Sequence, residues 1–225
     1  EALHTKPIID GIKSCPTMNE TEPLTDAVAF ILCGALAREV AAIVKKHDWK
    51  VDLFGIAAMD HMFPERIAVD VERKFKAIRE RYDRVLVIYG DCGSRGALDE
   101  FLARSGVSRI EGPHCYEMYG GERFEARMSE EPGTFFLTDF LVRGFRGTIW
   151  HGLGLDKYPE LLEDYFHNYR RIVYLSQNTE PDLVARAHEI AGKLGLPLEI
   201  EHTGYGLLEQ RLCQWMRGPG QTTSQ

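Results

Sequence analysis

Three cysteines stand where the chain changes character. Cys33 closes "AVAFILCG", Cys92 closes "RVLVIYGDCG", and Cys115 follows "RIEGPH". Thiolates are soft ligands that suit zinc, iron and iron–sulfur clusters. A lone cysteine is by default a packing residue, because a free thiol behaves as a small hydrophobe. Here three of the five cysteines fall just past short apolar runs, and packing alone does not ask for that. The other two differ. Cys15 lies in an irregular N-terminal stretch and Cys213 inside the helical pattern "LLEQRLCQWM", so neither is expected to ligate.

The neighbours of the three thiols define what chemistry they would serve. His61, in "AAMDHMFPERI", sits between a strand pattern and a helix pattern. Three Cys and one His make a standard tetrahedral zinc complement. His114 directly precedes Cys115 and competes for the fourth place. Ligation by two adjacent residues is geometrically awkward, so His61 is the preferred ligand and His114 a group that serves the site. His114 and Glu117 are the candidate catalytic residues, and Glu117 also reads simply as part of a solvated helix face. Gly34 and Gly93 each follow a cysteine and would let a cofactor approach the backbone. "GDCGSRG" matches neither a dinucleotide fingerprint nor a P-loop, although its amides would suit an anion at a helix start. His151, after "GTIW", is a weaker candidate. Ser176 lacks the GxSxG elbow of a serine hydrolase.

Elements that position these residues are legible in the apolar pattern. "AVAFIL", "VDLFGI", "RVLVIYG", "VSRIEG", "GTIWHG", "RIVYLS" and "PLEIEH" read as strands. Between them, "GALAREVAAIVKKH", "PERIAVDVERKFKAIRERY", "RGALDEFLARSG", "YPELLEDYFHNY" and "EPDLVARAHEIAGKLG" have helical spacing. Such alternation implies an α/β fold: a mostly parallel sheet with helices on both faces, doubly wound, Rossmann-like and three-layered. In an open parallel sheet ligands bind outside the carboxyl ends of the strands. The three cysteines and His61 would all lie along that edge, and strand order decides whether they meet. The expected organisation is an N-terminal extension over 1–26, one α/β domain over 27–216, and a polar tail over 217–225.

Composition bounds the function classes. The chain has 225 residues, 44% hydrophobic and 27% charged, an ordinary globular balance. Its net charge of -7, with no basic block, argues against a nucleic-acid partner. No apolar run approaches the ~20 residues of a membrane-spanning helix. There is no signal-peptide core and no CxxC pair, so the expectation is a cytoplasmic protein whose thiols stay reduced.

The chain resembles the family called domain of unknown function 1638 over about residues 28 to 210. The resemblance rests on "CGALARE", "HMFPERI", "YGDCG", "GPHCYEMYGG", "PGTFFLTDFLV", "GLGLDKYPELLEDYFHNYRRIVYLSQ" and "TGYGLLE". Other members carry His-Asp-Cys where this chain has Pro113-His114-Cys115, so the cysteine keeps its place. The resemblance brings with it a gene context of corrinoid-dependent methyl transfer and one-carbon metabolism. It implies a corrinoid protein or methyltransferase as partner and a small-molecule substrate. The DxHxxG sequence often used to bind cobalamin is absent.

The functional expectation is a protein with a transition-metal centre, zinc or iron, with an iron–sulfur cluster as one form of it. The ligands would be Cys33, His61, Cys92 and Cys115, serving methyl transfer. A non-catalytic protein that stores or senses metal is the alternative, as is a small-molecule binding module with packed cysteines.

Overall fold

Residues 27–218 are described by the computed structural model. The proposed N-terminal extension, Cys15 with it, and 219–225 of the tail lie outside the described residues. The chain runs β1 (Val28–Cys33), α1 (Ala37–Lys46), β2 (Val51–Ile56), α2 (Glu65–Ile78), β3 (Arg84–Ile88), α3 (Ala97–Ser105), β4 (Ser108–Arg109), α4 (Cys115–Gly120), α5 (Glu122–Glu130), β5 (Thr134–Thr138), α6 (Asp139–Phe145), α7 (Leu161–Phe166), β6 (Arg171–Ser176), α8 (Pro181–Leu194), β7 (Leu198–His202) and α9 (Gly206–Met216). This is an α/β protein in which every strand pairing is parallel.

The strands form two sheets rather than one. Four strands pair in the order β2-β1-β3-β4, and three in the order β5-β6-β7. β1 is buried along its whole length, as the continuous apolar run "VAFILC" requires of a strand covered on both faces. The two sheets share a core through alternation. Phe136, Val173 and Leu175 face the core of the first sheet. Their neighbours Leu137, Ile172 and Tyr174 point the other way, to a second core built with α6 and α8. That period of two is the pleat of β5 and β6.

One expected strand is a helix. "GTIWHG" continues α6 as a π-helical stretch, Arg146–His151, with the Thr148 hydroxyl donating to the Gly144 carbonyl at 2.9 Å. A short apolar run does not distinguish strand from buried helix by its periodicity. The strand at this point in the order is instead "TFFLT" of β5, which runs directly into α6. There the Thr138 hydroxyl caps α6 by accepting from Leu141 N–H at 3.4 Å.

Two glycines set the edge where β1 and β3 end. A Cβ on Gly34 would lie 2.9 Å from the Ile56 carbonyl oxygen, and one on Gly90 would lie 2.6 Å from His114 Cα and 2.7 Å from its amide nitrogen. The ends of β1 and β2 therefore touch, and the segment after β4 lies on the end of β3. The Cys92 N–H donates to the Pro113 carbonyl at 3.0 Å across that second contact. Gly90→Ala is expected to cost about 1–3 kcal/mol, as overpacking against backbone does. Gly55→Ala, with nothing within 4 Å of the added Cβ, should change stability little. Urea unfolding of both variants checks this.

Candidate functional site

Strand order brings the sequence-predicted residues into one row. Along β2-β1-β3-β4, the strand ends carry His61, Cys33, Cys92 and Cys115 in succession. The chain leaves β1 toward β2 and then returns to β3 on the other side. β1 and β3 thus flank a topological switch point, where parallel sheets open a crevice.

Cys33 is buried, and its sulfur accepts from Ala35 N–H at 3.4 Å at the start of a 3-10 turn. His61 lies in a second such turn, Ala58–Met62, with Nδ1 3.9 Å from Cys33 Sγ and 3.0 Å from the Ala58 carbonyl oxygen. An Nδ1–H donated to that carbonyl leaves Nε2 with the lone pair, the usual way a protein orients a ligating imidazole. The ring stacks on Tyr89, centroids 5.9 Å apart at 19°. Cys92 adopts φ 47°, a left-handed conformation that costs a non-glycine residue about 1–3 kcal/mol and gathers at functional sites. Cys115 begins α4.

The three thiols, all unpaired, act on one another electrostatically. Burial, and then the charge of Cys33, pushes the Cys92 thiol up to about 12. Burial raises Cys115 well above the usual thiol range, with the charges of Cys92 and Cys33 adding to it. Burial also raises Cys33, against the hydrogen bond from Ala35. Among the described residues, no three His, Cys, Asp or Glu side chains are drawn in tightly enough to hold one ion as they stand.

The remaining expected residues are placed as follows. His114 caps α4 in extended backbone, its ring packed edge-on to Phe124 at 4.8 Å. Its Nδ1 is buried without a hydrogen-bond partner, and burial lowers its pKa. Glu117 is not on a solvated face: it is buried and held by Arg211 through two hydrogen bonds of 2.6 and 2.7 Å. Both its oxygens are thus engaged in joining α4 to α9. Gly93 has φ 87° and faces Pro64, whereas Gly34 makes the β1–β2 contact described above. His151 sits in the π-helical stretch, paired with Asp156 at 2.9 Å, not at a strand end.

Several groups beside the thiols carry no motif. The Tyr89 hydroxyl, buried and without a conventional hydrogen-bond partner, lies against Cys33, and burial raises its pKa. Asp60 is buried with Oδ2 unpartnered; burial and the charge of Asp70 raise its carboxyl. Where the second sheet's strands end, Asp139 is wholly buried and accepts from Tyr174 Oη at 2.6 Å, Gln177 N–H at 3.0 Å and Asn178 Nδ2 at 2.8 Å. Arg143, one turn on, approaches Glu39 of α1 at 3.7 Å. The sequence signal available for this group was a charged residue at a helix start directly after an apolar run, "FFLTD".

The chain itself matches a protein family. Residues 56–212 match the family described as "Protein of unknown function (DUF1638)", and the chain is a member of it. The matched span includes His61, Cys92 and Cys115, while Cys33 precedes it. No curated protein and no solved structure is significantly similar to the chain. Among the described residues, no helix is long and apolar enough to cross a membrane.

Glu39 gives the site a pH signature. It is 3% exposed, and burial raises its carboxyl, with the charge of Asp139 adding and those of Arg143 and Arg38 opposing. A carboxyl raised in the folded state contributes stability below its unfolded pKa of about 4.3. That contribution is lost as pH rises through the folded value. Glu39→Gln, which cannot ionise, is therefore expected to raise the thermal midpoint more at pH 8 than at pH 5. Melting curves at the two pH values decide it.

Proposed function

We propose that the carboxyl edge of the four-stranded sheet holds a transition-metal centre on Cys33, Cys92 and Cys115, with His61 beside it. The reading rests on one observation: three unpaired thiols, one ending β1 and two in the segments that follow β3 and β4, lie on the carboxyl side of neighbouring strands, with Cys33 and Cys92 within electrostatic reach of Cys115. Unpaired thiolates are costly to bury, and a cation neutralises them while lowering their pKa. The donor set therefore fits a soft or borderline metal.

Three thiolates with an imidazole suit an iron–sulfur cluster as well as a single zinc ion. Tetrahedral ligation at a Zn–S distance near 2.3 Å brings sulfurs to about 3.8 Å from each other. A cluster of four irons attaches each thiolate to a different iron and so tolerates a wider spread of sulfurs than one zinc ion does. Three thiolates leave one iron for His61 Nε2 or for substrate. When bound, such a cluster supplies electron transfer or a Lewis-acidic iron, and a zinc ion in its place would activate a thiol or water. The protein's own contribution is the placement of the thiols, the orientation of His61 by the Ala58 carbonyl, and the exclusion of water by Tyr89 and the buried edge. A cytoplasmic role beside corrinoid-dependent methyl transfer goes with this reading, with a corrinoid protein or methyltransferase as partner; the reduced state expected of the thiols does not extend to Cys213, which is disulfide-bonded.

The test is metal and acid-labile sulfide analysis of protein purified without air. Iron and sulfide in comparable amounts are expected, with visible absorption that bleaches on reduction. Cys92→Ser and Cys115→Ser should each remove most of both. A colourless protein with one zinc would replace the cluster by the mononuclear site. Absence of any metal from anaerobic and aerobic preparations alike would sink the proposal in favour of a metal-free binding module.

A further inference from the structure

We propose that a disulfide joins Cys213 to Cys15, so that the chain ahead of β1 is stapled to α9 at the amino edge of the four-stranded sheet. The inference stands apart from the metal-thiolate reading, because it concerns the two cysteines which that reading leaves out.

Among the described residues, Cys33, Cys92 and Cys115 are free thiols, whereas Cys213 is disulfide-bonded. The sequence holds five cysteines, and a disulfide within the chain takes two. Cys15 is the partner that remains. Forming the bond removes one proton and one electron from each thiol. A small disulfide such as oxidised glutathione accepts both pairs and leaves as two thiols. The odd cysteine count therefore divides into three thiols kept for chemistry and two spent on a covalent link.

The surroundings of Cys213 suit a sulfur that has no proton to give. It is buried in α9, and its Sγ lies 3.7 Å from His47 Nε2. The same nitrogen is 2.6 Å from Glu209 Oε1, which Lys46 also reaches at 2.8 Å. An ionised carboxylate only accepts, so Nε2 carries the hydrogen and has no lone pair to offer a thiol. A disulfide sulfur, a weak acceptor, fits beside it. The path of the chain agrees. Ala27 N–H, just ahead of β1, donates to Asp83 Oδ2 at 2.9 Å. The next residue, Arg84, donates to the Trp215 carbonyl at 2.8 Å and lies over the Trp215 ring at 4.2 Å. The start of β1 is thus beside the end of α9 that carries Cys213. Cys15 stands twelve positions before Ala27, a length of chain that spans up to about 40 Å, ample for two points on one edge.

Peptide mapping of the full chain, purified in air without reductant, tests the inference. The protein is unfolded with a chelator, alkylated and digested, and the peptides are weighed before and after reduction. One cross-linked pair carrying Cys15 and Cys213 is expected, with Cys33, Cys92 and Cys115 alkylated. Thermal melting supplies a second measurement. Reductant should lower the wild-type midpoint by roughly 5–15 °C, as loss of one disulfide does in a chain of this size. Cys15→Ser, which alters nothing packed in α9, should show the same loss and no further response to reductant. Alkylated Cys213, or Cys213 linked to any other cysteine or to a second chain, would overturn the proposal. A wild-type midpoint that reductant leaves unmoved, or lowers equally in Cys15→Ser, would overturn it too. Metal content is read on the same samples. Cys15→Ser should match the wild type in metal, so a metal-free wild type defeats the metal reading alone, and a loss of metal confined to Cys15→Ser defeats this one.

Discussion

The backbone contact at the end of β3 is the constraint on which the rest of the edge depends. Cys115 follows a two-residue strand and would be free to stray. It is held because the segment before it lies on Gly90, closer than any side chain would allow, and because the Pro113 carbonyl takes the Cys92 N–H. Arg109 locks the same seam from below, donating to the carbonyls of Ile110 and Gly112 at 3.0 and 3.1 Å while its other edge is held by Asp99. Asp91 does likewise for the loop after β3, accepting from Ser94 Oγ at 2.7 Å and Gly96 N–H at 3.1 Å. The left-handed backbone at Cys92 is sustained by these bonds. Strain of this kind persists only where surrounding contacts over-determine it.

The electrostatics of the edge follow from that packing. Burial raises all three thiols, Cys33 adds to the rise at Cys92, and Cys92 and Cys33 add to it at Cys115, so the metal-free protein keeps them neutral. The same closeness that disfavours three thiolates makes them good ligands once a cation is present. Tyr89 belongs to the same balance, because it is buried against Cys33 and held toward its uncharged form. The edge holds more latent charge than it can express in the absence of a partner.

The parallel α/β pattern and the candidate thiols were legible in the sequence because both are local. Apolar runs of strand length, each followed by helical spacing, announce their own ends, and Cys33 and Cys92 fall at those ends. Strand order was not legible, since it depends on which strands pair across many residues, and it is strand order that puts His61, Cys33, Cys92 and Cys115 in a row. The division into two sheets was hidden for the same reason. "GTIWHG" misled because Ile149 and Trp150 pack equally well from a helix, as they do here against the second core. Glu117 looked like surface because its partner, Arg211, lies in α9, at the far end of the fold from α4 in sequence. The ion pair of Glu39 with Arg143 left no sequence mark at all, because its two residues come from helices distant in sequence.

The two sheets divide the chemistry between them. The four-stranded sheet supplies the thiols and His61, and the ends of β5 and β6 supply Asp139 and Arg143. What fixes their separation is the shared core, in which Phe136, Val173 and Leu175 pack among residues of the first sheet. Tyr116, Phe124 and Phe136 stack across the same boundary, with centroids 4.7 Å apart for the closest pair. Interiors packed in this way do not deform continuously. The distance from the thiols to Arg143 is therefore set by side-chain volume, not by a hinge. Helix α4 ties the thiol side to the rest of the fold: Cys115 opens it, and two hydrogen bonds from Arg211 to Glu117, two residues later, hold it to α9.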